Sequence, residues 1–244
     1  MPNSTNRRLR KLSPVILNGG LSLMGPFINV MSSWLVIEWS GDHTWGEFVY
    51  ILILTGLSMQ VMNWGNREFL LRAFARHPDK APLMWRHTLL VRGSLMFIAL
   101  PVVLLSGLEM EAVSLVLLWI LSGFIRQSFD VIVLFKKDFG FALLAEIVAA
   151  ALLFGGLWLQ RADLGIEDLL LWFTLAMVLR AIILGLRYGK EYIPGPWPRA
   201  QFRFFYSALP FFLLGFAGTL ITRTDLYCVA VFLDDDSQLA VYQI

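Results

Sequence analysis

The stretch Leu12–Ile37, LSPVILNGGLSLMGPFINVMSSWLVI, contains no Asp, Glu, Lys or Arg. A helix needs roughly 20 apolar residues to cross the hydrocarbon of a bilayer, and this run exceeds that. It is also longer than the roughly 7–15-residue apolar region of a cleaved secretory leader. The stretch is therefore read as a retained membrane span.

The same reading extends along the chain. Phe48–Asn66 is a second charge-free run, and Thr88–Leu108 a third with Arg92 at its entrance. Ala112–Phe135 carries Arg126 and Asp130, Phe139–Gln160 carries Glu146, and Leu169–Leu186 carries Arg180. A seventh run starts at Phe204 and ends between Thr222 and Leu233, with Arg223 and Asp225 near its far end. Composition agrees: 57% of the 244 residues are hydrophobic and 16% charged, against about 45–50% and about 25% in soluble domains. Nine Trp suit a protein with two membrane interfaces. With Cys228 as the single cysteine, a disulfide scaffold is excluded. The expected fold is an all-α, polytopic helical membrane protein with about seven transmembrane helices.

Charge placement orients it. Lys and Arg collect in cytoplasmic loops, and acids contribute little to that rule. Alternating seven spans puts 16 of the 20 basic residues on one side: Arg7, Arg8, Arg10, Lys11; Arg67, Arg72, Arg76, Lys80, Arg86, Arg92; Lys136, Lys137; Arg187, Lys190, Arg199, Arg203. Only Arg161 falls on the other, among Glu38, Asp42, Glu47, Glu109, Glu111, Asp163, Glu167, Asp168 and Asp234–Asp236. The N-terminus is expected to be cytoplasmic, in a cell (inner or plasma) membrane. The expected organisation is a basic tail at 1–11, a six-helix lobe at 12–190, a cytoplasmic linker at 191–203, and the first helix of an incomplete second lobe at 204–244.

Helix breakers concentrate in the first span: Pro14, Gly19, Gly20, Gly25 and Pro26, with Asn18 and Asn29. Pro26 removes the donor for the Ser22 carbonyl and is expected to kink the helix; Pro101 is expected to interrupt the third span. Pro210, Gly215 and Gly218 soften the seventh. Spans 1 and 7 also echo each other, each followed by an acidic turn and then Gly46-Glu47-Phe48 or Ala240-Val241-Tyr242, as in transporters built from repeats.

Ionisable residues inside the spans are the candidate site. An Arg at a helix centre costs roughly 2.5–3.5 kcal/mol on insertion scales, so each must be paired, near an end, or facing water. Arg126 and Asp130 are spaced i,i+4 on one helix face. Counting residues from the cytoplasmic ends of their spans puts Glu146 and Arg180 at matching depth, roughly 10–12 Å in. These four residues form one layer, read as a cation-lined cavity suited to an anionic head group. The alternative leaves Arg180 snorkelling to the interface with the other charges locking helices together. Arg223 and Asp225 are a possible helix-7 site or ordinary interfacial charges.

No catalytic motif is visible. His43, His77 and His87 share no metal-ligand spacing, and there is no Gly-rich phosphate loop, G-x-S-x-G elbow or H-E-x-x-H. No cofactor, no metal and no nucleic-acid partner are expected.

Two stretches carry a family pattern. Trp45-Gly46-Glu47-Phe48 follows the acidic turn after span 1, and span 2 closes on Gly65-Asn66-Arg67-Glu68-Phe69-Leu70-Leu71-Arg72-Ala73-Phe74-Ala75-Arg76. The second resembles the G-x-x-x-x-(x)-L-x-R-x-x-A segment of polysaccharide-type flippases in the multidrug/oligosaccharidyl-lipid/polysaccharide exporter superfamily. Gly65 and Arg72 match its motif positions, and Thr222-Arg223-Thr224-Asp225-Leu226 is similar to the start of that family's second lobe. The resemblance implies two six-helix lobes around a basic cavity. It also implies transport, not enzymatic catalysis, of a polyprenyl-pyrophosphate-linked oligosaccharide for surface polysaccharide or O-antigen biosynthesis. Membrane lipids, a polysaccharide polymerase and glycosyltransferases are its implied partners. Family members have 12–14 spans, so 244 residues are expected to be a partial chain. Two other readings stand beside it: a seven-helix membrane-embedded transferase, and a non-catalytic membrane subunit docking its seventh helix on another chain.

Overall fold

The computed structural model describes residues 4–232, with side chains described for residues 12–221. Every regular element among them is helical. Helix α1 runs Ser4–Asn63 and carries a single break inside it, at Gly41, whose φ of 87° and ψ of 171° only glycine adopts readily. That residue folds α1 into a hairpin. A straight helix would hold Asn18 and Asn63 about 68 Å apart, yet both line one cavity with Arg126. The turn between the first two spans is therefore one residue wide, with helix on both sides of it and no loop over 38–47. Pro14 and Pro26 lie within helical backbone, and the one residue of α1 with non-helical dihedrals is Gly41. The Ser22 hydroxyl donates to the Asn18 carbonyl one turn earlier (2.9 Å).

Trp64 and Gly65 both take left-handed φ (42° and 64°) and turn the chain into α2, Asn66–Arg76. This short amphipathic helix buries Asn66, Leu70 and Phe74, an i,i+4,i+8 stripe. Helix α3 (Ala81–Gly93) and α4 (Met96–Leu104) together occupy the third apolar run. Their interruption falls at Ser94–Leu95; Pro101 sits inside α4. The Ser94 hydroxyl bonds the Val91 carbonyl (2.7 Å), competing with the helical N–H for that acceptor.

Helices α5 (Met110–Lys136), α6 (Phe139–Leu159) and α7 (Ile166–Tyr192) follow. They are about 40, 32 and 40 Å long, enough to cross a hydrocarbon core of about 30 Å. Helix α8 begins at Arg203 and reaches Phe232. Six stretches of the described residues have the length and apolarity of membrane spans, the first being the whole Leu12–Arg76 run with its Gly41 hairpin. These are the dimensions of a membrane-embedded helical protein.

Packing is close where side chains are small. Ala142, Ala145, Ala149 and Gly156 are buried on one flank of α6, and a Cβ on Gly156 would collide with the Trp172 ring of α7. Small residues bring membrane helices together this way. The α7 start is capped by Asp168, which accepts from the Gly165 N–H (3.2 Å). In the middle of the bundle Phe48 packs on Phe173 and Trp119, with ring centroids 4.6 and 5.9 Å apart. Outward-facing side chains such as Phe97, Leu105 and Leu214 are exposed, an apolar exterior that lipid would cover.

The two ends of the bundle differ in charge. At one end Arg86 donates to the Tyr192 and Pro194 carbonyls, Lys136 pairs with Glu191, and Arg187 reaches Asp138 (3.5 Å). At the other, Ser40 bonds the Leu164 carbonyl (2.8 Å), and Glu47, Glu109 and Glu167 converge on one recess. The segments richest in Lys and Arg thus share the first end.

Candidate functional site

The charged layer is assembled from three helices. Arg126 and Asp130 lie one turn apart on α5, and their Nη1–Oδ2 distance is 2.9 Å. Glu146 projects from the buried alanine flank of α6 and forms an ion pair with Arg180 of α7. The side chains of Arg180 and Glu146 are 17% and 8% exposed. Arg180 therefore does not snorkel to an interface; it is held inside the bundle by its carboxylate partner.

Two chambers meet at that pair. The polar one, of about 350 Å³, lies between the two arms of α1, α5 and α7. Its walls include Asn18, Asn63, Arg67, Arg126, Gln127 and Asp130, with Arg180 among them. Three guanidinium groups and the Asp130 carboxylate line it, and with Glu146 pairing Arg180 from the neighbouring chamber the excess positive charge is that of Arg67. The second chamber, about 190 Å³, is apolar and is walled by Ile28, Leu52, Trp119, Leu153, Phe173 and Met177. Both Glu146 and Arg180 stand on its margin. Arg180 thus belongs to both chambers. The Trp119 indole N–H beside the apolar chamber, and the Gln127 side-chain oxygen and Arg126 Nε beside the polar one, are buried without a hydrogen-bond partner among the described residues.

The first arm of α1 lends both chambers its softest segment: Asn18, Leu21 and Ser22 face the polar one, Gly25, Ile28 and Asn29 the apolar one. A Cβ on Gly25 would meet nothing within 4 Å, so this wall is loosely packed.

Two arginines counted on the basic side are buried. Arg86 is locked onto the two α7-end carbonyls noted above, and its Gly195 neighbour takes φ 112° beside it. Arg92 is wholly buried. Its only hydrogen-bond acceptor among the described residues is the Ser128 hydroxyl, and its guanidinium carbon lies 4.9 Å from the Phe124 ring centroid. The missed signal was positional: Ala81, Trp85 and Thr88 are buried on α3, and Arg92 continues their i,i+4,i+7,i+11 stripe.

The motif residues Gly65 and Arg72 stand at the meeting of α1, α2 and α8. A Cβ on Gly65 would come within 2.7 Å of the Phe212 nitrogen, so glycine is needed both for the left-handed turn and for the approach of α8. Trp64 stacks on Phe212 (4.1 Å) beside it. Arg72 lies over Phe211 of α8 (4.6 Å), away from the polar chamber. Arg223 and Asp225 lie outside the residues whose side chains are described. Among the described residues no group of His, Cys, Asp and Glu has metal-holding geometry; His43 lies 3.7 Å from Glu47, and His87 accepts from the Gln201 N–H (3.2 Å).

No family model matches the chain, and comparison with curated proteins and with solved structures gives no match either.

Proposed function

We propose that this chain is a membrane transporter of the flippase type, moving a polyprenyl-pyrophosphate-linked oligosaccharide across the cell membrane for surface polysaccharide biosynthesis. Seven crossings are proposed: the two arms of α1, α3 with α4, and α5, α6, α7 and α8, with the basic end and the N-terminus in the cytoplasm. The observation that carries the reading is Arg180, shared by a cationic chamber and an apolar one. A ligand matching both would be an amphiphile with an anionic head, and a lipid-linked pyrophosphate is one. The pyrophosphate would sit among Arg67, Arg126 and Arg180, with Glu146 and Asp130 holding the two deeper guanidinium groups in place until it arrives.

The test is genetic. In a host whose surface glycan depends on this chain, Arg126→Ala or Arg180→Ala should abolish export while membrane insertion stays intact. Unchanged surface polysaccharide in both variants would rule out the cavity assignment.

A non-catalytic membrane subunit is the second reading, favoured by the sparse packing of α8: Leu213, Leu214 and Ile221 are exposed along it. Stoichiometric co-purification with a partner, together with normal export by both arginine variants, would favour it.

A further inference from the structure

A second basic recess lies apart from the two chambers, on the flank where α2 meets α8. It measures about 330 Å³, and its walls are Phe69, Arg72, Arg76, His77, Ser207 and Phe211, with Ala73 at its base. No residue is common to this recess and either chamber. No carboxylate lines it, and among the described residues neither Arg72 nor Arg76 forms an ion pair. Both are exposed, on the side of α2 opposite the buried Leu70 and Phe74.

The recess is polar and apolar in different directions. The Arg72 guanidinium carbon lies 4.6 Å from the Phe211 ring centroid, a contact that holds one guanidinium at the wall. Ser207 supplies a hydroxyl from the opposing helix. Beyond it α8 presents exposed apolar side chains, Leu213, Leu214 and Ile221 among them, with Leu214 76% exposed. An occupant that satisfies both directions has a phosphodiester for the two arginines and acyl chains that run down α8.

We propose that this recess binds the head group of an anionic phospholipid of the surrounding bilayer, with the phosphodiester held by Arg72, Arg76 and Ser207. Basic pockets between helices at a membrane face take anionic head groups, and this one sits at the bundle's basic end. Such a lipid would tie α8 to α2 at a contact that otherwise rests on a few aromatic side chains. The shared chemistry is an anionic phosphate, which free inorganic phosphate could also offer, so the test separates the two.

The purified full chain would be examined by native mass spectrometry after exchange into phosphatidylglycerol or phosphatidylcholine. Wild type should retain phosphatidylglycerol and not phosphatidylcholine. The Arg72→Gln/Arg76→Gln variant should lose about thirty-fold in retention, as expected for two basic residues at an anionic surface. Ser207→Trp, which fills the recess and leaves every charge in place, should lose retention too. Lys80→Gln, a basic residue outside the recess, should not. Arg126→Ala/Arg180→Ala should keep the lipid, so that failure of the transport reading and failure of this one remain distinguishable. Equal retention by wild type and by both recess variants would overturn the proposal, as would displacement of the lipid by millimolar inorganic phosphate.

Discussion

Arg180 of α7 and Glu146 of α6 form a buried ion pair at the boundary between a polar and an apolar chamber. Removing one partner of such a pair leaves an uncompensated buried charge, at about 3–5 kcal/mol, whereas removing both costs far less. Glu146→Ala and Arg180→Ala should each lower the thermal unfolding midpoint in detergent strongly, and the double variant should be no worse than either alone. Additive losses would show that the two side chains do not act as a pair.

Arg92 is the reverse case, a buried guanidinium with one hydroxyl and one ring as partners. An apolar side chain of similar length relieves the burial of its charge, while truncation opens a cavity. Arg92→Met is expected to match or exceed wild-type stability and Arg92→Ala to fall about 2–5 kcal/mol below it. Unfolding midpoints of the two variants measure this; a severe loss in Arg92→Met would mean that the charge itself holds α3 to α5.

Gly65→Ala places a methyl group against the α8 backbone and forces a left-handed residue that carries a side chain, at about 1–2 kcal/mol. Its midpoint should drop clearly. Gly93→Ala is the control, since nothing lies within 4 Å of its Cβ position and its φ is ordinary. Equal behaviour of the two would contradict the close approach of α8.

Sidedness is checked by labelling. With Cys228 replaced by Ser, the chain has no cysteine, and single cysteines at Asp79 and Asp163 would report opposite ends of the bundle. A membrane-impermeant maleimide applied to intact cells is expected to reach Asp163→Cys and not Asp79→Cys. Labelling at Asp79 would invert the proposed topology.

The sequence made the charged layer legible because its geometry is nearly one-dimensional. Arg126 and Asp130 needed only the helical repeat, and Glu146 and Arg180 only a count of residues from the ends of their spans; both pairs are formed. Arg92 escaped because a tally of charges by side ignores which way a side chain points, and that direction is set by packing against Phe124 and Ser128. The turn after span 1 was legible in the acidic residues around Asp42, but its one-residue width, at Gly41, was not. Among many glycines in and near the first span, the one that takes a positive φ is chosen by the tertiary contacts of the two arms, including Ser40 on Leu164.

In the proposed function the arginines around Arg180 receive the pyrophosphate of a lipid-linked glycan. The most direct measurement is retention of a polyprenyl-pyrophosphate oligosaccharide by the purified chain in native mass spectrometry, against the matching polyprenol without phosphate. Retention of the pyrophosphate lipid alone, lost in both Arg126→Ala and Arg180→Ala, is the predicted result. Equal retention of the two lipids, or retention undiminished in both variants, would contradict it.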